Sequence, residues 1–206
     1  VPMEKTKAFF TTQRITLIAI LAAIAIVLFL PPLQIPIVLF YKLDFSNVPA
    51  LLGTFAMGPL TGAIILLVKS LTGLLFSTSL GVGELADFLV GLAMILPAGL
   101  YYKREKTRKN AMTGMEIGAV AATAAGVLLN VYLLIPFYGW AFHLPVEEII
   151  AMGQTVAPSI DTIWKFVLTI TAPFNIVKWA AIAIISIVIY KPLSPILHGK
   201  LGKHKA

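Results

Sequence analysis

Cysteine is absent from the 206 residues, so neither a disulfide framework nor a thiolate metal site can form. Charge is scarce as well: Asp, Glu, Lys and Arg make up 12% of the chain, half of what an ordinary soluble domain carries (~25%). The three histidines, His143, His198 and His204, are scattered and show no His-Glu-x-x-His spacing. There is no Gly-x-x-x-x-Gly-Lys-Ser/Thr loop to cradle nucleotide phosphates, since the Gly-Lys at 199–200 is followed by Leu201. No Gly-x-Ser-x-Gly elbow occurs either. A nucleophile with its base, or a metal centre, cannot be assembled, and the expectation is that the chain is not an enzyme and carries no cofactor.

Apolar residues are what the chain has in abundance: 59% are hydrophobic, and the mean hydropathy is +0.93. A chain of this length would have too little polar surface to cover its core in water. It reads as an all-α integral membrane protein forming a single membrane domain over residues 1–206, embedded in the lipid bilayer. A spanning helix needs about 20 mostly apolar residues. Six candidates fall at about 14–30, 45–57, 60–77, 84–102, 113–135 and 162–190. The first apolar run ends in Leu30-Pro31-Pro32-Leu33 with no small-x-small cleavage site, so it reads as a retained helix. Pro31, Pro32 and Pro36 make the next segment extended up to Lys42, and Asp44 or Ser46 can cap the second helix. Residues 77–83 read as a turn, and 136–161 as a long connection with a weak helical period at Val146, Ile149, Ile150 and Gly153.

Basic residues fix an orientation. Lys5, Lys7 and Arg14, then Lys103, Arg104, Lys106, Arg108 and Lys109, then Lys191, Lys200, Lys203 and Lys205 all fall on one side of a six-helix topology. Cytoplasmic loops carry such an excess, so both termini are expected in the cytoplasm and the protein is expected as a multi-pass component of the cell (plasma) membrane. The same asymmetry accounts for the formal net charge of +7 without invoking nucleic acid. Asp44, Glu84, Glu147, Glu148 and Asp161 gather on the outer side.

A charged group inside a membrane helix costs about 2.5–3.5 kcal/mol on insertion scales, so each needs a reason. Lys69, Asp87, Asn130 and the pair Asn175/Lys178 stand out. Lys69 and Asp87 read best as neutralising each other between helices three and four. A lone Asn is as often interhelical glue, worth about 0.6 kcal/mol, so Asn130 stands as either glue or ligand contact. Asn175 and Lys178 lie three apart on one helix face, with Trp179 four beyond Asn175 on the same side. Two polar groups on one face point to a site, and with Asn130, Glu84 and Asp87 they converge on a cavity opening outward. On helix one, Ala19-x-x-x-Ala23 is a small-xxx-small groove that admits another helix backbone, within the bundle or from a partner.

Three stretches carry a resemblance: Asp44-Phe-Ser-Asn-Val-Pro-Ala-Leu-Leu-Gly-Thr-Phe-Ala-Met-Gly-Pro-Leu-Thr-Gly62, Val82-Gly-Glu-Leu-Ala-Asp-Phe-Leu89, and Pro173-Phe-Asn-Ile-Val-Lys178 with Tyr190-Lys-Pro-Leu-Ser-Pro195. The chain resembles the riboflavin-binding S components of energy-coupling factor (ECF) transporters over nearly its whole length. The resemblance implies a six-helix S-component fold that binds riboflavin from the extracellular side. It also implies docking on a membrane-embedded T component carried by two cytosolic ATP-binding subunits. Asn130, Asn175 and Lys178 would hydrogen-bond the flavin, residues 35–42 would cover it, and the Ala19/Ala23 face would meet the T component. The chemistry is compatible: a flat neutral flavin presents an imide N–H between two carbonyls, which an Asn amide can match. Glu84 and Asp87 can accept from ribityl hydroxyls, and Leu39, Phe40, Tyr41 and Trp179 can supply flat contact. The alternatives are an S component for another vitamin and a stand-alone facilitator.

Overall fold

The computed structural model describes residues 11–197, with side chains described up to residue 189. Lys5, Lys7, Lys191, Lys200, Lys203 and Lys205 of the charge asymmetry therefore lie outside the described side chains.

The helix α1 (Thr12–Phe29) opens on Thr11, whose side chain accepts from the Arg14 amide, and ends where the two prolines cannot continue it. Arg14 Nη2 donates to the Met57 carbonyl at 3.0 Å, which ties the start of α1 to the end of α2 (Asn47–Met57). The extended segment between them folds back as a hairpin of β1 (Ile35–Val38) and β2 (Tyr41–Leu43), paired antiparallel with Ile35 opposite Leu43. Its tip needs a left-handed residue, which is Leu39 at φ +50°. Gly58, at φ +104°, makes the corner into α3 (Pro59–Gly73).

Among the described residues, the helices α4 (Val82–Arg104) and α5 (Arg108–Leu129) are the pair in most extensive contact. Gly114, Gly118 and Ala122 recur every four residues on α5, and a Cβ at Gly114 would stand 2.7 Å from the Ala98 carbonyl oxygen. Such small-residue stripes let membrane helices approach to backbone contact.

Among the described residues, five helical runs are long and apolar enough to cross a membrane: Thr12–Phe29, Pro59–Phe76, Val82–Arg104, Arg108–Phe142 and Ile163–Ile189. The sixth helix, α2, has 11 residues and rises only about 17 Å, short of the ~30 Å hydrocarbon core. It is buried inside the bundle along almost its whole length.

The fifth run departs from expectation. Pro136 was expected to end it near residue 135, yet the helix continues through a π-helical turn, Asn130–Leu134, into α6 (Ile135–Phe142). The last run does the same: α8 (Ile163–Phe166) enters a π turn, Val167–Thr171, then α9 (Ala172–Leu197), with Pro173 just beyond the turn. A widened turn ahead of each proline accommodates a residue that has no N–H to give. Between α6 and α9, α7 (Val146–Gln154) lies where the weak helical period pointed and buries Ile149 and Gly153. Just ahead of the last run, the Asp161 carboxylate accepts from Lys165 of its first turn at 2.5 Å, which holds that carboxyl below its usual range, an exposed pair of little structural weight.

Candidate functional site

The helices enclose a cavity of about 410 Å³, within the ~300–1,000 Å³ range of small-molecule sites. It lies beneath the hairpin, at the end of the bundle where α1 stops and α4 begins. Lys42 of the hairpin donates to Thr78 Oγ1 at 2.7 Å and so straps the hairpin to the 77–83 turn across the mouth.

The floor is a buried charge network. Lys178 Nζ, on α9, donates to Asp44 Oδ2 at 3.1 Å and to Asp87 Oδ1 at 3.0 Å. Asp87 also pairs with Lys69 of α3, which donates further to Ser46 Oγ at 2.9 Å and Asn47 Oδ1 at 2.8 Å. Asn47 returns a bond to Asp87 Oδ1 at 2.9 Å, while the Ser46 amide and hydroxyl both donate to Asp44 Oδ1. Two ammonium groups thus meet two carboxylates, and the buried cluster is formally neutral, which is what a low-dielectric interior requires. The expected pairing of Lys69 with Asp87 is present. Asp44 was expected as a possible helix cap, and here it is turned inward, 3% exposed, as a partner of Lys178.

One wall carries the two asparagines at the π turns. Asn130 Nδ2 donates to the Gly126 carbonyl at 2.7 Å, and Asn175 Nδ2 donates to the Thr171 carbonyl at 2.9 Å. Each amide oxygen accepts one further bond: Asn130 Oδ1 from the Tyr41 hydroxyl at 2.9 Å, and Asn175 Oδ1 from Trp179 Nε1 at 3.3 Å. Tyr41 also reaches Thr171 Oγ1 at 2.5 Å, so the hairpin is pinned to both π turns at once. Burial raises the Tyr41 phenol above its ordinary range and keeps it protonated. By the inventory of its groups, each amide has one N–H and one oxygen lone pair beyond its bonds among the described residues, and Lys178 has one N–H.

Aromatic rings complete the enclosure. Phe40 stacks on Tyr138 at 4.8 Å and Tyr41 tilts against Phe174 at 5.0 Å. Near the mouth, Glu84 Oε2 accepts from Ser77 Oγ at 2.8 Å and Ser79 Oγ at 3.1 Å.

Of the residues singled out by sequence, Asn130, Asn175, Lys178, Glu84, Asp87, Phe40, Tyr41 and Trp179 all line this one cavity. Leu39 is not among the lining residues, because the left-handed turn at the hairpin tip leaves it 37% exposed. Ala19 and Ala23 are exposed on the outer face of α1, whereas Ala22 and Ala25 face the bundle.

The family of ECF transporter substrate-specific components matches residues 13–190. The chain belongs to this family. It is a multi-pass membrane S component. Among its relatives, riboflavin transporter RibU of Staphylococcus aureus (strain TCH60) is 37% identical over 186 residues, covering 90% of this chain and 92% of that one. Riboflavin transporter FmnP of Bacillus subtilis (strain 168) is 28% identical over 196 residues, covering 93% and 97%. A solved S component of a bacterial ECF transporter superposes with a TM-score of 0.68 at 34% identity, covering 90% of this chain and 97% of that chain.

Sequence reasoning about the S component missed four contributors to the site. Asp44 reads as a helix cap, Tyr138 sits beyond the proline taken to end its helix, Phe174 is one apolar residue among many, and Thr171 is a lone hydroxyl. The available signal was Pro136 and Pro173 inside apolar runs, each marking a π turn at the cavity wall.

Proposed function

We propose that this S component captures riboflavin from the extracellular side and delivers it inward together with a membrane T component and two cytosolic ATP-binding subunits, with no catalytic activity of its own. The supporting observation is convergence: in a chain whose relatives are named riboflavin transporters, Asn130, Asn175 and Lys178 meet in one buried cavity roofed by aromatic rings.

The pyrimidine edge of the flavin presents an N–H flanked by two carbonyls. One amide oxygen accepts from the N–H, while an amide N–H and the third proton of Lys178 donate to the carbonyls. Phe40, Tyr41 and Trp179 give flat contact, and Glu84 and Asp87 face the ribityl hydroxyls. A wrong ligand that leaves these buried groups unpaired forfeits about 1–3 kcal/mol for each, which is the basis of selectivity. Both termini lie in the cytoplasm, so the hairpin over the cavity faces out and lids it. The exposed Ala19/Ala23 face of α1 receives the T component.

The test is titration of riboflavin against intrinsic Trp fluorescence of the purified protein, with other vitamins as competitors. Saturable quenching that other vitamins do not displace supports riboflavin, and displacement by another vitamin reassigns the ligand. Flavin uptake by liposomes containing this chain alone would overturn the need for partners.

A further inference from the structure

A second hollow, about 790 Å³, lies on the lipid-facing side of the bundle between α5 and α9. Ala119, Val120 and Ala124 wall it on one side, and Ala183, Ile184 and Ile187 on the other. The helices that form it are membrane-spanning runs, so its surroundings are acyl chains. Among the described residues, Trp179 is the one side chain that lines both this groove and the ligand cavity. It is 1% exposed, its Nε1 donates to Asn175 Oδ1 at 3.3 Å, and its ring stands 6.0 Å from Lys178 Nζ. One indole therefore touches an amide of the ligand cavity on one side and backs onto the groove on the other.

We propose that Trp179 is a specificity-determining partition: its ring closes the ligand cavity against the bilayer, bounding the length of ligand the site accepts and keeping acyl chains out. The proposal rests on the riboflavin reading for the identity of the ligand. Its physical basis is mass action. Lipid chains are the solvent on the groove side, so even a weakly bound chain competes wherever it can reach an apolar cavity. Among the described residues no other side chain borders both hollows, so removing the indole is expected to join them.

Two measurements test it, in nanodiscs. The first uses Trp140→Phe/Trp164→Phe protein, which keeps Trp179 alone among the tryptophans; the two replaced rings are exposed and outside the cavity lining. Trp179 emission should be quenched both by riboflavin and by phosphatidylcholine with brominated acyl chains. Quenching by riboflavin without quenching by bromine would overturn the partition. The second compares Trp179→Ala with Trp179→Phe. Riboflavin affinity of Trp179→Ala should fall at least about tenfold and fall further when decane is added, with Trp179→Phe and the parent indifferent to decane. A Trp179→Ala protein that binds as the parent does and ignores decane refutes the proposal; if that variant does not fold, the bromine measurement decides. A parent protein that fails to bind riboflavin sinks the ligand reading instead, and bromine quenching still reports whether Trp179 borders lipid.

Discussion

Asp44→Asn preserves side-chain size and removes one negative charge from a buried cluster of two lysines and two aspartates. Lys178 is left with Asp87 as its carboxylate partner at 3.0 Å, and the cluster acquires a net positive charge. Breaking a buried pair by removing one member costs about 3–5 kcal/mol. Because Asp87 still faces the ammonium, the lower end applies, about 3 kcal/mol, or a fall in Tm of about 6–12 °C for a chain of this length. The double variant Asp44→Asn/Lys178→Met restores neutrality and leaves Lys69 paired with Asp87, so it should regain most of that loss. Its riboflavin affinity should nonetheless drop about 10- to 100-fold, because a hydrogen bond from a charged group is worth about 1.5–3 kcal/mol. Thermal unfolding in detergent, read as the monodisperse fraction after heating, and a riboflavin titration of the same samples give both numbers. An Asp44→Asn protein as stable as the parent, or a double variant less stable than the single, would refute the charge-balance reasoning.

Further outcomes follow from the same geometry. Gly126→Ala places a Cβ 2.8 Å from Asn175 Nδ2; it should displace that amide and weaken riboflavin binding about tenfold from a position outside the cavity lining, with little change in Tm. Asn130→Ala removes an acceptor held by Tyr41 and the proposed flavin contact, and should weaken binding about 10- to 100-fold in a fluorescence titration. Ala19→Leu on the exposed face of α1 should leave riboflavin binding intact while abolishing co-purification with the T component, and intact co-purification would remove that docking surface.

Hydropathy made the membrane class and most of the helices legible, since lipid leaves few ways to satisfy a backbone. The Lys69–Asp87 pair was legible because an intramembrane charge demands a partner. Asn175, Lys178 and Trp179 were legible from their spacing on one face. Asp44 was not, because a carboxylate beside a turn reads as a cap, and only the fold brings it to a lysine 134 positions away. The extent of the fifth helix was not legible either: proline reads as a stop, and the π turn that lets the chain pass Pro136 has no simple sequence pattern. The hairpin was visible only as an extended proline-bearing segment, since its register depends on a left-handed leucine that no turn rule favours.

The most direct measurement is riboflavin binding by the purified protein in nanodiscs, compared with Asn130→Ala/Asn175→Ala. The account predicts saturable one-to-one binding by the parent and its loss in a double variant that remains folded. A folded parent that ignores micromolar riboflavin, or a double variant that binds it equally well, would contradict it.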